Sequence, residues 1–121
     1  MSINVEMYAD HQNVVFAGKS VSVFAKFTDD DGFPANVSSL HFIVRRPDTG
    51  LMLKFRTQDL DYVSPGIWKM NVVLDAVGIW WFRMECWTPA ESRQEMQIET
   101  VATTARTEQF GSPVNSQGSV D

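Results

Sequence analysis

Four tryptophans lie within one stretch of twenty residues, positions 68 to 87, and this stretch predicts two β-strands joined at a corner. The first strand is expected over Ile67–Leu74 and the second over Ile79–Trp87, with the turn Asp75–Gly78 between them. Large apolar residues recur at every second position, which is typical of a strand with one buried face. An immunoglobulin-type sandwich pins its corner with a large aromatic residue at this place. The inward residues of the second strand are predicted to be Trp80, Phe82, Met84 and Cys86.

The same alternation predicts further short strands, separated by turns such as Pro47–Gly50 at intervals of about ten residues. About seven such strands without a helical period predict an all-β fold, an immunoglobulin-like antiparallel β-sandwich, with a small closed barrel as the alternative. The further strands are expected over Ser20–Thr28, Leu40–Arg46, Leu51–Arg56, Asp59–Val63 and Gln94–Val101, with a weaker one over Gln12–Phe16. One shared core is expected to contain Val21, Val23, Phe27, Phe42, Val44, Trp68, Met70, Val72, Trp80, Phe82 and Met84.

The composition divides the chain into a folded part and a terminal arm. With 121 residues and 44% hydrophobic content, the chain is predicted to form one globular domain over residues 1–102. Residues 103–121 are mainly small and polar, and Phe110 is their only aromatic residue. Such a segment cannot bury enough surface to fold alone, so a flexible C-terminal arm is expected. It is either a frayed terminus or an arm that becomes ordered against a neighbouring subunit, with Phe110 as its anchor.

Net charge and the N-terminal residues restrict the expected partners and compartment. The formal charge of −5 argues against a protein whose whole surface binds nucleic acid or an anionic membrane. The first residues lack the basic and apolar stretches of a secretory signal, and no apolar run approaches the roughly 20 residues that span a bilayer. Synthesis in a reducing cytoplasm is therefore expected, and the single Cys86 cannot form a disulfide within the chain.

Residue types that carry catalysis or bind metals occur without the spacing that such sites need. Asp29–Asp31 are adjacent, whereas an EF-hand loop has carboxylates at alternate positions, so a turn is favoured over a calcium site. His11 and His41 are far apart and neither lies beside Cys86, which argues against zinc and favours a core role for the thiol. No phosphate loop or nucleophile motif is found. The sequence predicts a protein without cofactor or metal that is not an enzyme.

One basic cluster lies on the predicted hairpin around Pro47–Gly50. Three roles are open: contact with nucleic acid, contact with an acidic partner surface, or a solvated hairpin balanced by neighbouring aspartates. Because the whole chain is acidic, tight nucleic-acid binding is not expected, and the cluster is a candidate for electrostatic docking. Its members are Arg45, Arg46, Lys54 and Arg56.

More large apolar residues are present than two inward faces require. Several on outer sheet faces suggest a surface that is covered in an assembly, and tryptophan is enriched at interface hot spots. The alternative is that loops or the C-terminal arm cover them within the monomer. The outward positions are occupied by Phe24, Ile43, Trp81 and Trp87, of which we interpret Phe24, Trp81 and Trp87 as partner-binding residues, together with the basic cluster and Phe110.

Four stretches within residues 14–101 together resemble a group of small Ig-like proteins encoded among the structural genes of tailed bacteriophages. They are Gly18–Pro34, Val44–Asp48, Ser64–Trp68 and Leu74–Trp80. They contain mainly the turns and core positions of a sandwich, so they are more specific for the fold than for the role. Similar patterns occur in bacterial surface and polysaccharide-binding modules, which usually belong to longer secreted chains.

The resemblance implies a non-catalytic virion structural protein that docks on other virion proteins at the head–tail connector or neck. It also implies several copies or a homo-oligomer within the particle. A membrane partner is not expected, because of the net charge and the absence of a long apolar run. Two alternatives are kept: a capsid decoration protein and, in a different class, a carbohydrate- or receptor-binding Ig-like module. The latter would need exposed aromatic residues around a concave loop end, whereas the spare aromatic residues of this chain alternate along strand faces.

Overall fold

The computed structural model describes residues 2–11 and 13–102, and most of these residues lie in β-strands. The predicted C-terminal arm, residues 103–121 with Phe110, lies outside the described residues. A short 3-10 turn, Thr57–Asp59, precedes the sixth strand. The strands are β1 (Asn4–Ala9), β2 (Val14–Phe16), β3 (Lys19–Thr28), β4 (Ser38–Arg45), β5 (Met52–Arg56), β6 (Asp61–Ser64), β7 (Ile67–Leu74), β8 (Gly78–Thr88) and β9 (Ser92–Val101).

The strands form two sheets, which confirms the predicted all-β sandwich. One sheet has the order β1-β3-β7-β6 and the other the order β2-β9-β8-β4-β5. These orders correspond to the A-B-E-D and G-F-C strands of an immunoglobulin domain. The strand count and direction differ from the prediction. The described residues contain nine strands instead of about seven, and β2 runs parallel to β9, so the larger sheet is mixed.

The strand that the sequence analysis missed is β1. Its Val5, Met7 and Ala9 alternate towards the core, and it pairs antiparallel with β3. After β1 the chain changes sheets. The Asp10 carboxylate accepts a hydrogen bond of 2.9 Å from the amide of Ser22 in the smaller sheet, and β2 then joins the larger sheet. One N-terminal segment therefore contributes to both sheets.

The core lies between the sheets and follows the predicted alternation on most strands. The residues predicted to face inward on β3, β4 and β8 are all buried. On β7 the prediction overestimated burial. Trp68, Met70 and Val72 pack against the core but are only half-buried. Met70 and Val72 lie on a side of the sandwich where the sheets are not closed by further strands of the described residues, whereas Trp68 lies beside β6.

The corner between β7 and β8 is held by hydrogen bonds to one backbone carbonyl. The indole Nε1 of Trp80 donates to the oxygen of Ala76 at 3.0 Å, and the hydroxyl of Thr100 donates to the same oxygen. Gly78 has φ +135°, and a Cβ there would lie 2.6 Å from the Cβ of Pro47, so glycine is required for the corner to approach the β4–β5 hairpin. The predicted aromatic corner is confirmed, with Trp80 in the place that tyrosine takes in many immunoglobulin domains.

Candidate docking surface on the five-stranded sheet

The register of the larger sheet aligns outward side chains from four strands in rows. We call this surface the outer face, and it also includes Trp87 on β8. Because cross-strand neighbours lie about 5 Å apart, each row is a set of side chains in contact range. The rows are Arg56, His41, Glu85 and Arg93; then Lys54, Ile43, Arg83 and Glu95; then Met52, Arg45, Trp81 and Gln97.

Arg83 lies at the centre of the outer face and joins an indole to two carboxylates. Its Cζ is 4.8 Å from the ring centroid of Trp81. Its Nε and Nη2 donate to Oε2 of Glu95 at 3.1 and 2.9 Å, and its Nη1 donates to Oε2 of Glu85 at 3.2 Å. The other oxygen of Glu95 accepts from the Trp81 indole at 3.2 Å. The Arg83 guanidinium, followed by the Trp81 indole, holds the pKa of Glu95 below its usual range.

Trp87 is held by a histidine that lies beside this Arg83 network, next to Glu85. Glu85 is 8% exposed, and its Oε1 lies 3.8 Å from Nδ1 of His41. The same Nδ1 accepts a hydrogen bond of 3.3 Å from the indole of Trp87, so this nitrogen carries no proton when that bond is formed. Trp81 and Trp87 are thus each held by a polar side chain of the outer face, Trp81 by Glu95 and Trp87 by His41. Each indole N–H has an acceptor, which restricts the orientation of both rings.

Three of the predicted basic residues lie beside this network. Arg45, Lys54 and Arg56 project from β4 and β5 and are exposed. None of the ion pairs in the described part of the chain involves any of the three. The outer face therefore carries uncompensated positive charge at its β5 side, on a chain whose net charge is −5.

The fourth basic residue, Arg46, lies at one end of the sandwich and contacts other parts of the same chain. Its guanidinium bonds Asp48 through Nε at 3.1 Å and Asp75 through Nη1 at 2.8 Å. Its Cζ is 5.1 Å from the ring centroid of Trp80. These bonds lower the pKa of Asp48 and raise that of Arg46. Arg46 thus ties the β4–β5 hairpin to the β7–β8 corner.

The remaining predicted partner-binding residues are separated from the outer face. Phe24 lies on the opposite sheet, where its ring stacks on that of Tyr8 with centroids 5.1 Å apart. Phe110 lies outside the described residues. The structure therefore brings together Trp81, Trp87 and three of the four basic residues, and leaves Phe24 on a different surface.

Sequence reasoning did not identify the polar members of the network, which are His41, Arg83, Glu85 and Glu95. The available signal was their alternation with large apolar residues along β4, β8 and β9. Ile43 was predicted to face outward, and it does belong to the outer face. It is nevertheless only 8% exposed, since its row neighbours Lys54 and Arg83 are long enough to cover it.

The aspartate turn and the cysteine that the sequence singled out both have structural roles in the fold. Asp29 accepts backbone hydrogen bonds from Asp31 at 2.9 Å and Phe33 at 3.0 Å, which confirms the turn prediction. Cys86 is buried, and burial raises the pKa of its thiol. Within residues 2–11 and 13–102, no three carboxylate, histidine or cysteine side chains are grouped to hold a metal ion. No helix in that part of the chain has the length and apolar character for crossing a membrane.

Comparison with known proteins finds a solved structure of similar fold and does not assign the chain to a family. No family model matches this chain, and no curated protein matches it significantly in sequence. Among solved structures, the chain is similar to a DUF4785 family protein from Legionella pneumophila, with a TM-score of 0.57 and 11% identity. The match covers 81% of this chain and 28% of that one, so this chain spans less than a third of the Legionella protein. At this identity, the likeness describes the architecture of the sandwich alone.

Proposed function

We propose that this protein is a non-enzymatic docking module that binds another protein through the outer face of its five-stranded sheet. The observation that carries the proposal is that Trp81 and Trp87 each donate the indole N–H to a neighbouring side chain of the outer face. These two hydrogen bonds restrict the orientation of both rings on a surface, where the rings add to no enclosed core. Aromatic residues that are held in place before binding lose little conformational entropy on association, and tryptophan is enriched at interface hot spots.

The charges on the outer face suggest the chemistry of its partner. Glu85 and Glu95 are already bonded to Arg83, so their charges are compensated. The free charges are those of Arg45, Lys54 and Arg56, next to the exposed side chain of Met52. A matching partner presents carboxylates to these cations and an apolar recess to Trp87. Such complementarity acts mainly on the association rate and on the choice of partner.

A position in a phage particle is the second part of the proposal, and it rests on the sequence resemblance. The protein is a virion structural component, present in several copies, that docks on other virion proteins at the head–tail connector or neck. A sandwich with the outer face described above is compatible with this role, since such a module needs a docking surface and no catalytic centre. A capsid decoration protein would use the same outer face on a different virion partner.

A carbohydrate- or receptor-binding module is the alternative from another class, and it is supported by the exposed ring of Trp87. Sugar stacking needs an open aromatic face, and Trp87 is 44% exposed. The Trp81 ring, in contrast, is covered on one side by the Arg83 guanidinium. A pair of open aromatic platforms is therefore not formed, and protein docking is favoured.

The test is incorporation into particles, with one variant on each sheet. Trp87→Ala alters the outer face, and Tyr8→Ala is its control on the opposite sheet. The proposal predicts that mass spectrometry detects the protein in purified particles, that Trp87→Ala lowers its copy number, and that Tyr8→Ala does not. Absence from purified particles would contradict the virion role. Equal effects of the two variants would contradict the outer face as the docking surface.

A further inference from the structure

An open apolar cleft lies along one side of the sandwich, between β5 of the larger sheet and β7 of the smaller sheet. Leu53 and Phe55 line it from β5, and Met70 and Val72 from β7. Leu53 is 38% exposed, which is high for a leucine on the inward side of a strand. The half-burial of Met70 and Val72 has the same origin, since no side chain in the described part of the chain covers this side of the core.

Both strands that border the cleft have an unpaired edge. Within the described residues, β5 pairs with β4 only. On the side of β7 away from β3, β6 pairs with Ile67, Trp68 and Lys69 and goes no further. The edge from Met70 to Leu74 is thus left without a neighbouring strand in the described part of the chain. Exposed edges next to apolar surface are where an added β-strand gains both backbone hydrogen bonds and side-chain burial.

We propose that this cleft receives the C-terminal arm, residues 103–121, of a second copy of this chain. The arm would lie beside β7, along the edge that β6 leaves free, with Phe110 in the apolar cleft. From Thr103 to Phe110 the sequence contains no glycine or proline and has three threonines, which favour extended strands. Gly111 and Pro113 follow directly, so eight consecutive residues without a glycine or proline are available for the five-residue edge from Met70 to Leu74.

The position at which β9 ends favours a second copy over the arm's own cleft. Thr100 pairs with Gly78, so the chain leaves β9 at the corner end of the sandwich. In the larger sheet, β8 and β4 separate β9 from β5, a distance of about 14 Å. At this end the cleft is bridged by Arg46 with its bonds to Asp48 and Asp75. An arm of the same chain would have to pass over that bridge, whereas an arm from a second copy enters from the open side.

The inference is independent of the proposed function, because the cleft and the outer face use opposite sides of β5. Leu53 points into the cleft, and the adjacent Met52 points to the outer face. This neighbouring pair supplies a matched control. Leu53→Asp should prevent self-association and leave partner docking unchanged, and Met52→Asp should do the opposite.

The experiment is sedimentation analysis of the full-length chain from low to high micromolar concentration. We expect concentration-dependent self-association that Phe110→Asp and Leu53→Asp each weaken at least about tenfold, since each removes a large apolar contact. Met52→Asp should associate like the unmodified chain. Thermal melts of all variants establish that each is folded, which is expected because Leu53 and Met52 are already partly exposed.

Mixing the two disabled variants identifies the arrangement. Phe110→Asp keeps the cleft and Leu53→Asp keeps the arm, so together they should form a mixed complex although neither associates alone. A chain that stays monomeric at all concentrations would overturn the proposal, including the case in which the arm fills its own cleft. Self-association that Met52→Asp weakens, and that Leu53→Asp and Phe110→Asp do not, would also overturn it, since copies would then meet through the outer face.

Discussion

Two side-chain clusters in this protein contain the same kinds of chemical group and differ in what they do for the fold. In the corner cluster, Arg46 lies over Trp80 and bonds Asp48 and Asp75. In the outer-face cluster, Arg83 lies over Trp81 and bonds Glu85 and Glu95. Each therefore has a guanidinium above an indole ring and two carboxylates around the guanidinium. Since Trp80 and Trp81 are neighbours in sequence, the alternation of one strand decides which of them is enclosed.

The difference between the clusters is what each of them joins. The corner cluster connects the β4–β5 hairpin to the β7–β8 corner, and its indole is 1% exposed and bonded to a backbone carbonyl. The arginine and carboxylates of the outer-face cluster all come from β8 and β9, which the backbone ladder already holds together. The same chemistry therefore stabilises tertiary structure in one place, and in the other mainly orients side chains towards solvent.

The largest expected effect is that of Trp80→Ala in the corner cluster. Truncating a fully buried tryptophan leaves a cavity, and we expect the free energy of unfolding to fall by about 3–5 kcal/mol. Denaturant unfolding followed by circular dichroism measures this change. Trp81→Ala is the matched control on the same strand and should lower stability by only about 1 kcal/mol. Equal losses for the two variants would remove the distinction between the clusters.

The next effect in size separates the two arginines. Arg46→Gln should lower the melting temperature more than Arg83→Gln, because only Arg46 connects segments that the backbone ladders do not. Both losses should be smaller than that of Trp80→Ala, since both guanidinium groups are partly solvated. Thermal melts of the two variants at low and high salt provide the measurement. A larger loss for Arg83→Gln would show that the outer-face cluster also stabilises the fold.

Acid titration should reveal the carboxylates of both clusters. The pKa values of Asp48 and Glu95 are lowered by their arginines, so the folded state binds protons less readily than the unfolded state. Their contribution to stability is complete above the ordinary carboxyl range and is lost as the pH falls through the lowered values, below about pH 4. Asp48→Asn should therefore make the decline of the melting temperature between neutral and acidic pH shallower. An unchanged decline would mean that this pair does not contribute.

The smallest effect on folding is expected for the free cations of the outer face. Replacing Arg45, Lys54 and Arg56 with glutamine should leave the melting temperature nearly unchanged, because none of them has an ion-pair partner in the described part of the chain. It should weaken assembly with the partner, and the difference from the unmodified protein should shrink as salt screens the charges. Submicromolar, salt-dependent binding of the unmodified protein to duplex DNA would contradict this assignment and support a nucleic-acid role.

The sequence predicted positions along strands better than relations between strands. Period-two alternation placed Trp80 inside and Trp81 outside correctly, because it depends on the local backbone alone. The pairing of Arg83 with Glu95 depends on the register of β8 and β9, which alternation does not specify. The segment Asn4–Ala9 also alternates, but Asn4 and Glu6 have low strand propensity, so the sequence pattern of this strand is weak. Met70 and Val72 were predicted to be core, and their half-burial comes from the open edge of β7 beyond β6, which is a tertiary property.

The parallel pairing of β2 with β9 has a mechanical consequence. Tension drawn through β2 towards the N-terminus and through β9 towards the C-terminus pulls two adjacent parallel strands in opposite directions. The hydrogen bonds between them, including Glu99 N–H to Asn13 O at 2.8 Å and Ala17 N–H to Val101 O at 2.9 Å, lie across that force. They are loaded together and must slip as a group, whereas an antiparallel pair pulled from one end opens one bond at a time. A load passing through the two ends of the sandwich is therefore carried in shear.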